Sequence, residues 1–384
     1  MEQADNFSPL QVGYITHRER AVDRGEPVKA ATDVFDANPA LKALPVTGEG
    51  GEVVGVVSRN IKDDLAISAD YRLYQRELEK HLIPFKGTIE AANHVSRIVE
   101  ANLKVDQGKF PAWYKVLYKG AYYGTVSLQQ MLEHMNVLRS LDMSAAGKIQ
   151  RYLLEHPLVE DGQFDAFFYN RMTYEIGGDF YRVFRSGGEN VLAACFDASG
   201  KNITGALATM ALGACFAAFE LLEYEGIAEM TSAFLNRLVK QVVPSGSFIA
   251  ALLVYLDFAS NTVKIHNCGF SPVMVFLPRA GKWLTKTFAP NLPPLGVEDE
   301  LDFDEVKPLA LNSGLRFAAY SDGLTGMAST MGERYGEERA GKLIRSLQLM
   351  RHTEVKAALE KEITHWVGDN DLPDDITVMD LRLK

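Results

Sequence analysis

Cysteine is scarce in this 384-residue chain: Cys195, Cys215 and Cys268 are the whole set, and they form no C-x-x-C pair. That excludes a disulfide framework and a cysteine-built zinc site. Two of the three sit in apolar runs, LAACFD and ALGACFAAFE, where cysteine reads as a small buried hydrophobe. Positive charge is also short. Forty Lys and Arg face fifty Asp and Glu, for a net charge of −10. The broad basic footprint of a nucleic-acid-binding chain is therefore missing. The first residues, MEQADNFSPLQVGYITHRER, hold no apolar run of signal-peptide length. Only Gly205 to Leu222 (GALATMALGACFAAFELL) approaches a membrane span. It carries Glu220, is rich in Ala and Gly, and lacks flanking basic or aromatic anchors, so a buried helix is expected. The expectation is a cytoplasmic protein with neither a membrane nor a nucleic-acid partner.

What is present is ordinary globular material, 47% hydrophobic and 23% charged, enough for two or three domains. The first 140 residues repeat themselves weakly. Leu44-Pro45-Val46, a Gly-rich turn and Val53–Ser58 form one hairpin pattern. Trp113–Leu117, Lys119-Gly120 and Tyr122–Ser127 form a second, about 66 to 69 residues on. Each second strand ends in Gly-x-Val-Ser before a helix.

This pattern resembles a tandem pair of cystathionine-β-synthase (CBS) modules, giving an α/β unit over 1–137. The resemblance implies a regulatory role and an adenine nucleotide in the cleft between the copies. The aspartate that holds the ribose in that family is replaced here by Ile61 and Gln130. Between 129 and 155, Leu138, Leu141, Ala145, Ile149 and Leu153 recur at steps of three and four. That stripe predicts a helical linker over 138–160 and a homodimer seam.

From about residue 161 the texture is α+β, with short apolar strands and helices in blocks near 203–242 and 335–367. Four motifs set aspartates at turns: Glu175–Tyr181 (EIGGDFY), Asp197–Lys201 (DASGK), Ser321–Thr325 (SDGLT) and Pro373–Thr377 (PDDIT). One aspartate at a strand end is explained by turn chemistry. Four can converge on one cleft, where they repel unless a cation neutralises them. Oxygen-only donors select hard ions, Mg²⁺ or Mn²⁺, over zinc. Two such ions can bind a phosphate and activate water for in-line attack.

These motifs, in this order, resemble the PPM-type metal-dependent Ser/Thr phosphatases. Their bacterial branch, typified by the stage II sporulation protein E, is nearest. Ala146–Gln150, Asn267–Gly269 and Leu292–Val297 agree as well. The resemblance implies a β-sandwich flanked by helices, two Mn²⁺ or Mg²⁺ ions and a phosphorylated protein substrate, an anti-sigma-factor antagonist being one such target. It implies that Asp197 bridges the ions with the Ala198 carbonyl as a further ligand. Asp322 and Asp374 would hold one ion and Asp179 the other, while Asp375 orients or ligates. Glu175 and Thr377 would support the ligands, and Lys201 would approach the phosphate. Asn202, Gly326 and Phe270 depart from the branch without removing a ligand, and no histidine lies beside Asp197. His266 and His365 are expected to be structural. Two alternatives accompany this reading. One is a phosphatase-fold binding module without activity. The other is a diguanylate cyclase, suggested by the likeness of GGDFY to a GGDEF signature.

Overall fold

The computed structural model describes residues 7–63, 75–106, 112–154, 157–186, 189–200, 203–223, 228–279, 282–303 and 306–384. The chain divides into two compact units, Met1–Asp142 and Met143–Lys384.

The first unit contains the strand–helix–hairpin pattern twice. Strand β1 (Val22–Asp23), helix α1 (Val28–Ala37), β2 (Ala43–Thr47) and β3 (Val53–Ser58) make one copy, with β4 (Ile83–Pro84) on its edge. Strand β5 (Gly87–Glu90), helix α2 (Val95–Asp106), β6 (Trp113–Tyr118) and β7 (Ala121–Ser127) make the other. In both, the first strand pairs parallel to the second, which turns back antiparallel into the third. A parallel pair needs a crossover, and α1 and α2 supply it. Val28, Ala31 and Phe35 of α1 pack on Leu44, Val46 and Val57, while Val95 and Val99 of α2 pack on Val116 and Val126.

Helix α3 (Leu128–Leu153) follows directly and runs through the division between the units. Its start is a capping box: the Ser127 hydroxyl accepts from the Gln130 N–H at 3.1 Å, and the Gln130 amide oxygen accepts from the Ser127 N–H at 2.8 Å. Of the expected apolar stripe, Leu141 and Ile149 are exposed, as are Val137 and Tyr152.

The second unit is a two-sheet sandwich between helical layers. Strands β8 (Leu158–Glu160) and β9 (Phe164–Arg171) lead to β10 (Asp179–Ser186) and β11 (Asn190–Ala198). After helices α4 (Ile203–Leu221) and α5 (Ala228–Val242) come β12 (Ile249–Asp257), β13 (Thr262–Cys268), β14 (Val273–Arg279), β15 (Lys282–Phe288) and β16 (Leu309–Ala310). The chain ends with β17 (Arg316–Tyr320), helices α6 (Asp322–Gly326), α7 (Gly336–Ser346) and α8 (His352–Val367), and β18 (Ile376–Leu383). One sheet runs β10-β11-β12-β13-β16 and the other β15-β14-β17-β18-β9-β8.

Alternation with period two decides which side of a strand meets which layer. Phe168, Phe317, Ala319, Met379 and Leu381 fill the core between the sheets. Their neighbours Phe167, Tyr169, Ala318, Tyr320 and Val378 face Ala340, Ile344, Val355, Leu359 and Ile363 of α7 and α8. On the other side α4 packs on β10 and β11, with Phe216 6.4 Å from Phe180 and 5.9 Å from Phe196. By length and composition α4 could cross a bilayer, yet Ala206, Thr209, Leu212 and Phe216 are buried against these strands. Beneath α8 the buried pair Arg316–Asp380 closes through two hydrogen bonds of 2.6 and 3.0 Å.

Candidate active site

Antiparallel pairing of β10 with β11 sets Asp179 directly opposite Asp197, at the end of the sheet. Neighbouring aspartates enter from the partner sheet. Asp322 opens α6 just beyond β17, and Asp374 and Asp375 precede β18, which pairs with β17. The strands place the four motifs side by side although they span some two hundred residues of sequence.

The carboxylates differ in depth. Asp179 and Asp375 are buried, Asp197 and Asp374 half-buried, and Asp322 exposed. Burial, then the charges of Asp322, Asp374 and Asp375, pushes Asp197 up to about 7. A close approach of the Asp322 carboxyl adds to that rise. Burial first, and Asp197 second, raises Asp179 well above the carboxylate range. Against this, Asp179 accepts hydrogen bonds from the Thr377 hydroxyl and from the Ser321 hydroxyl, the latter at 2.9 Å. Thr377 in turn donates its backbone N–H to the Ser321 oxygen at 2.9 Å and accepts from the Asn170 amide at 2.9 Å.

Asp375 does different work. Its two oxygens accept the backbone N–H of Thr173 and of Gly178, each at 2.7 Å, and so hold the loop that leads into Asp179. Two glycines make this possible. A Cβ on Gly177 would overlap the Asp375 carboxylate, and one on Gly323 would overlap the Asp375 carbonyl. Helix α3 reaches the same loop. The buried Gln150 amide donates to the Gly177 carbonyl at 2.7 Å and accepts from its N–H at 3.0 Å. Gly147 lets the helix press against the Glu175 carbonyl, while the Glu175 side chain is exposed.

Other expected residues fall into place unevenly. The Ala198 carbonyl lies beside Gly178 and lines a small cleft with Asp197, Asp374 and Asp375. Lys201 and Asn202 lie outside the described residues. His266 is fully buried, with Nδ1 3.0 Å from the Ser232 hydroxyl and its ring stacked on Phe303, and His365 is exposed on α8. Two contributors escaped the sequence reading as site residues: Ser321 and Gln150. Both lie inside segments already singled out, SDGLT and Ala146–Gln150, without having been assigned to the site. Arg334 is exposed on the turn after α6, its guanidinium directed at Gly326 beside Pro373, and it makes no ion pair among the described residues.

Among the described residues no three carboxylate, imidazole or thiolate groups form a closed ligand set. The donor chemistry nevertheless fits a hard cation: carboxylates and a backbone carbonyl, crowded enough to hold a proton near neutrality.

A sandwich of this kind is the fold of PP2C-type domains. The SiaA-PP2C domain of Pseudomonas aeruginosa matches it with a TM-score of 0.52 at 20% identity, covering 65% of this chain and 99% of that one. The RsbU and RsbW domains of a Mycobacterium tuberculosis protein match at 0.47 and 19% identity, covering 59% and 61%. The phosphatase domain of SpoIIE from Bacillus subtilis matches at 0.39 and 18% identity, covering 58% and 92%. No curated protein sequence matches the chain. The family model for stage II sporulation protein E (SpoIIE) matches residues 187–384, just over half of the sequence, and the chain belongs to that family.

Proposed function

We propose that this chain is a divalent-metal-dependent protein Ser/Thr phosphatase, with Asp179, Asp197, Asp322, Asp374 and the Ala198 carbonyl as the ligands of two Mg²⁺ or Mn²⁺ ions. The observation that carries this is the convergence of these aspartates at one sandwich end, crowded enough to push Asp197 up to about 7. Bound Mg²⁺ or Mn²⁺ supplies the positive charge that neutralises the carboxylates and draws in the oxygens of a phosphate ester. Ser321 and Thr377 fix the Asp179 carboxylate. Asp375 is assigned to holding the loop, because both its oxygens are engaged by backbone N–H groups. Arg334, exposed on the turn after α6, the helix that Asp322 opens, is assigned to the phosphate. The identity of the phosphoprotein, an anti-sigma-factor antagonist by resemblance, belongs to the same proposal.

The first unit is read as a regulatory pair of CBS-like modules, supported by the repeated strand–helix–hairpin order. A cavity of about 630 Å³ lies between the copies, lined among others by Lys42, Ser58, Arg59, Trp113 and Gln130. The adenine-nucleotide expectation is not carried forward. Ile61 is buried, and the Gln130 amide oxygen is spent on the helix cap, so neither of the two family positions offers a carboxylate to a ribose. Helix α3 offers the route to the catalytic loop through Gln150, and its exposed Val137, Leu141, Ile149 and Tyr152 support a homodimer seam.

Hydrolysis of p-nitrophenyl phosphate with Mn²⁺ tests the reading. Asp197→Asn and Asp322→Asn each lower it by about two to three orders of magnitude. Wild-type protein without turnover, in the full chain and in residues 143–384 alike, would support a binding module instead. Unchanged kinetics after deletion of residues 1–137 would remove the regulatory role.

A further inference from the structure

We propose that the groove between β9 and α8 docks an acidic, phosphorylated segment of the protein substrate. The proposal rests on the phosphatase reading above and specifies how that site selects its partner. The groove encloses about 800 Å³ and is walled by β9, the last turn of α3 and the outer side of α8. It neighbours the acidic cleft: Tyr174, 56% exposed, lines both. Its floor is also fixed relative to the carboxylates. Strand β9 ends at Arg171, and two residues later the Thr173 N–H is held by Asp375 at 2.7 Å.

Charge identifies the occupant. On a chain of net charge −10, this groove gathers Arg151, Arg171 and Lys356 against one carboxylate, Glu360. Lys356 and Glu360 are 4.0 Å apart and more than half exposed, so their pairing is weak and leaves the cation available. In the phosphatase reading the cleft meets the phosphate itself, so the cations along the groove are left to meet acidic residues that flank it. Arginines beside Tyr169 and Tyr174 also form the mixed aromatic and cationic surface that peptide segments use.

The test is a charge swap across the contact. Two phosphoserine peptides differ only in their flanks, one rich in Asp and one rich in Lys. The kcat/KM ratio for the two is measured on wild type, on Lys356→Glu and on Arg171→Glu/Lys356→Glu. The ratio moves about threefold toward the Lys-flanked peptide in the single variant and about tenfold in the double, mostly through KM. Reduced folding lowers both peptides alike and leaves the ratio where it was, and exposed Lys356 guards against that loss. A ratio constant within twofold, in enzyme that still turns over p-nitrophenyl phosphate, overturns the groove and leaves the phosphatase standing. Wild-type protein that hydrolyses neither peptide nor p-nitrophenyl phosphate overturns both.

Discussion

Removing the Asp375 carboxylate is the sharpest perturbation the site offers. In Asp375→Ala the backbone N–H groups of Thr173 and Gly178 lose an acceptor at 2.7 Å, and the Asp179 N–H loses one as well. A hydrogen bond to a charged acceptor contributes about 1.5–3 kcal/mol, and a buried donor left without one is costly. The substitution also gives something back. Burial raises the Asp375 pKa, and Asp374 adds repulsion, so the carboxylate is itself under strain. The net expectation is a loss of about 2–4 kcal/mol. In a unit the size of Met143–Lys384, that lowers Tm by roughly 5–15 °C. Calorimetry of the full chain, with Asp375→Asn alongside, measures it. Asparagine keeps one acceptor and drops the charge, so its loss is smaller. A Tm for Asp375→Ala within about 2 °C of wild type would refute the claim that this carboxylate holds the loop.

Three further outcomes follow from the same geometry. In metal-free protein Asp197 keeps a proton to about pH 7 that the unfolded chain sheds near its ordinary 3.8. Its stabilising contribution is therefore full below pH 3.8 and lost as pH rises to 7, so the wild-type Tm falls relative to Asp197→Asn across that window. A flat difference in EDTA would contradict this, and saturating Mn²⁺ should remove the slope. Arg334→Ala is expected to raise KM for p-nitrophenyl phosphate about three- to tenfold with partial recovery in Arg334→Lys, and steady-state kinetics without any KM change would exclude the contact. Asp380→Ala leaves the buried Arg316 charge unpaired, which costs about 3–5 kcal/mol in urea denaturation. The double variant Arg316→Met/Asp380→Leu should recover part of that, short of the ion pair Asp380 also makes with Arg382 at 2.6 Å, and no recovery would mean that the pair does more than cancel its own burial.

The regular elements were legible because their signals are local. Apolar alternation marked β11, β12 and β17, and the Gly-containing turns marked both N-terminal hairpins. Helix α3 was legible as a helix, but its apolar stripe did not reveal what it packs against: Ile149 is exposed while the polar Gln150 beside it is buried. A glutamine earns burial only when another segment offers a matching peptide, and here that is Gly177. The same limit hid the role of Ser321, whose contact lies with Asp179.

The sequence alone determined the membership of the acidic set, since glycine and aspartate at strand ends are written into short motifs. Tertiary structure alone decided the division of labour within it. Asp374 and Asp375 are adjacent in sequence, yet one turns to the cleft rim and the other into the Thr173 and Gly178 N–H groups. Successive side chains entering a strand point to opposite sides, and what waits on each side is set by segments some two hundred residues away.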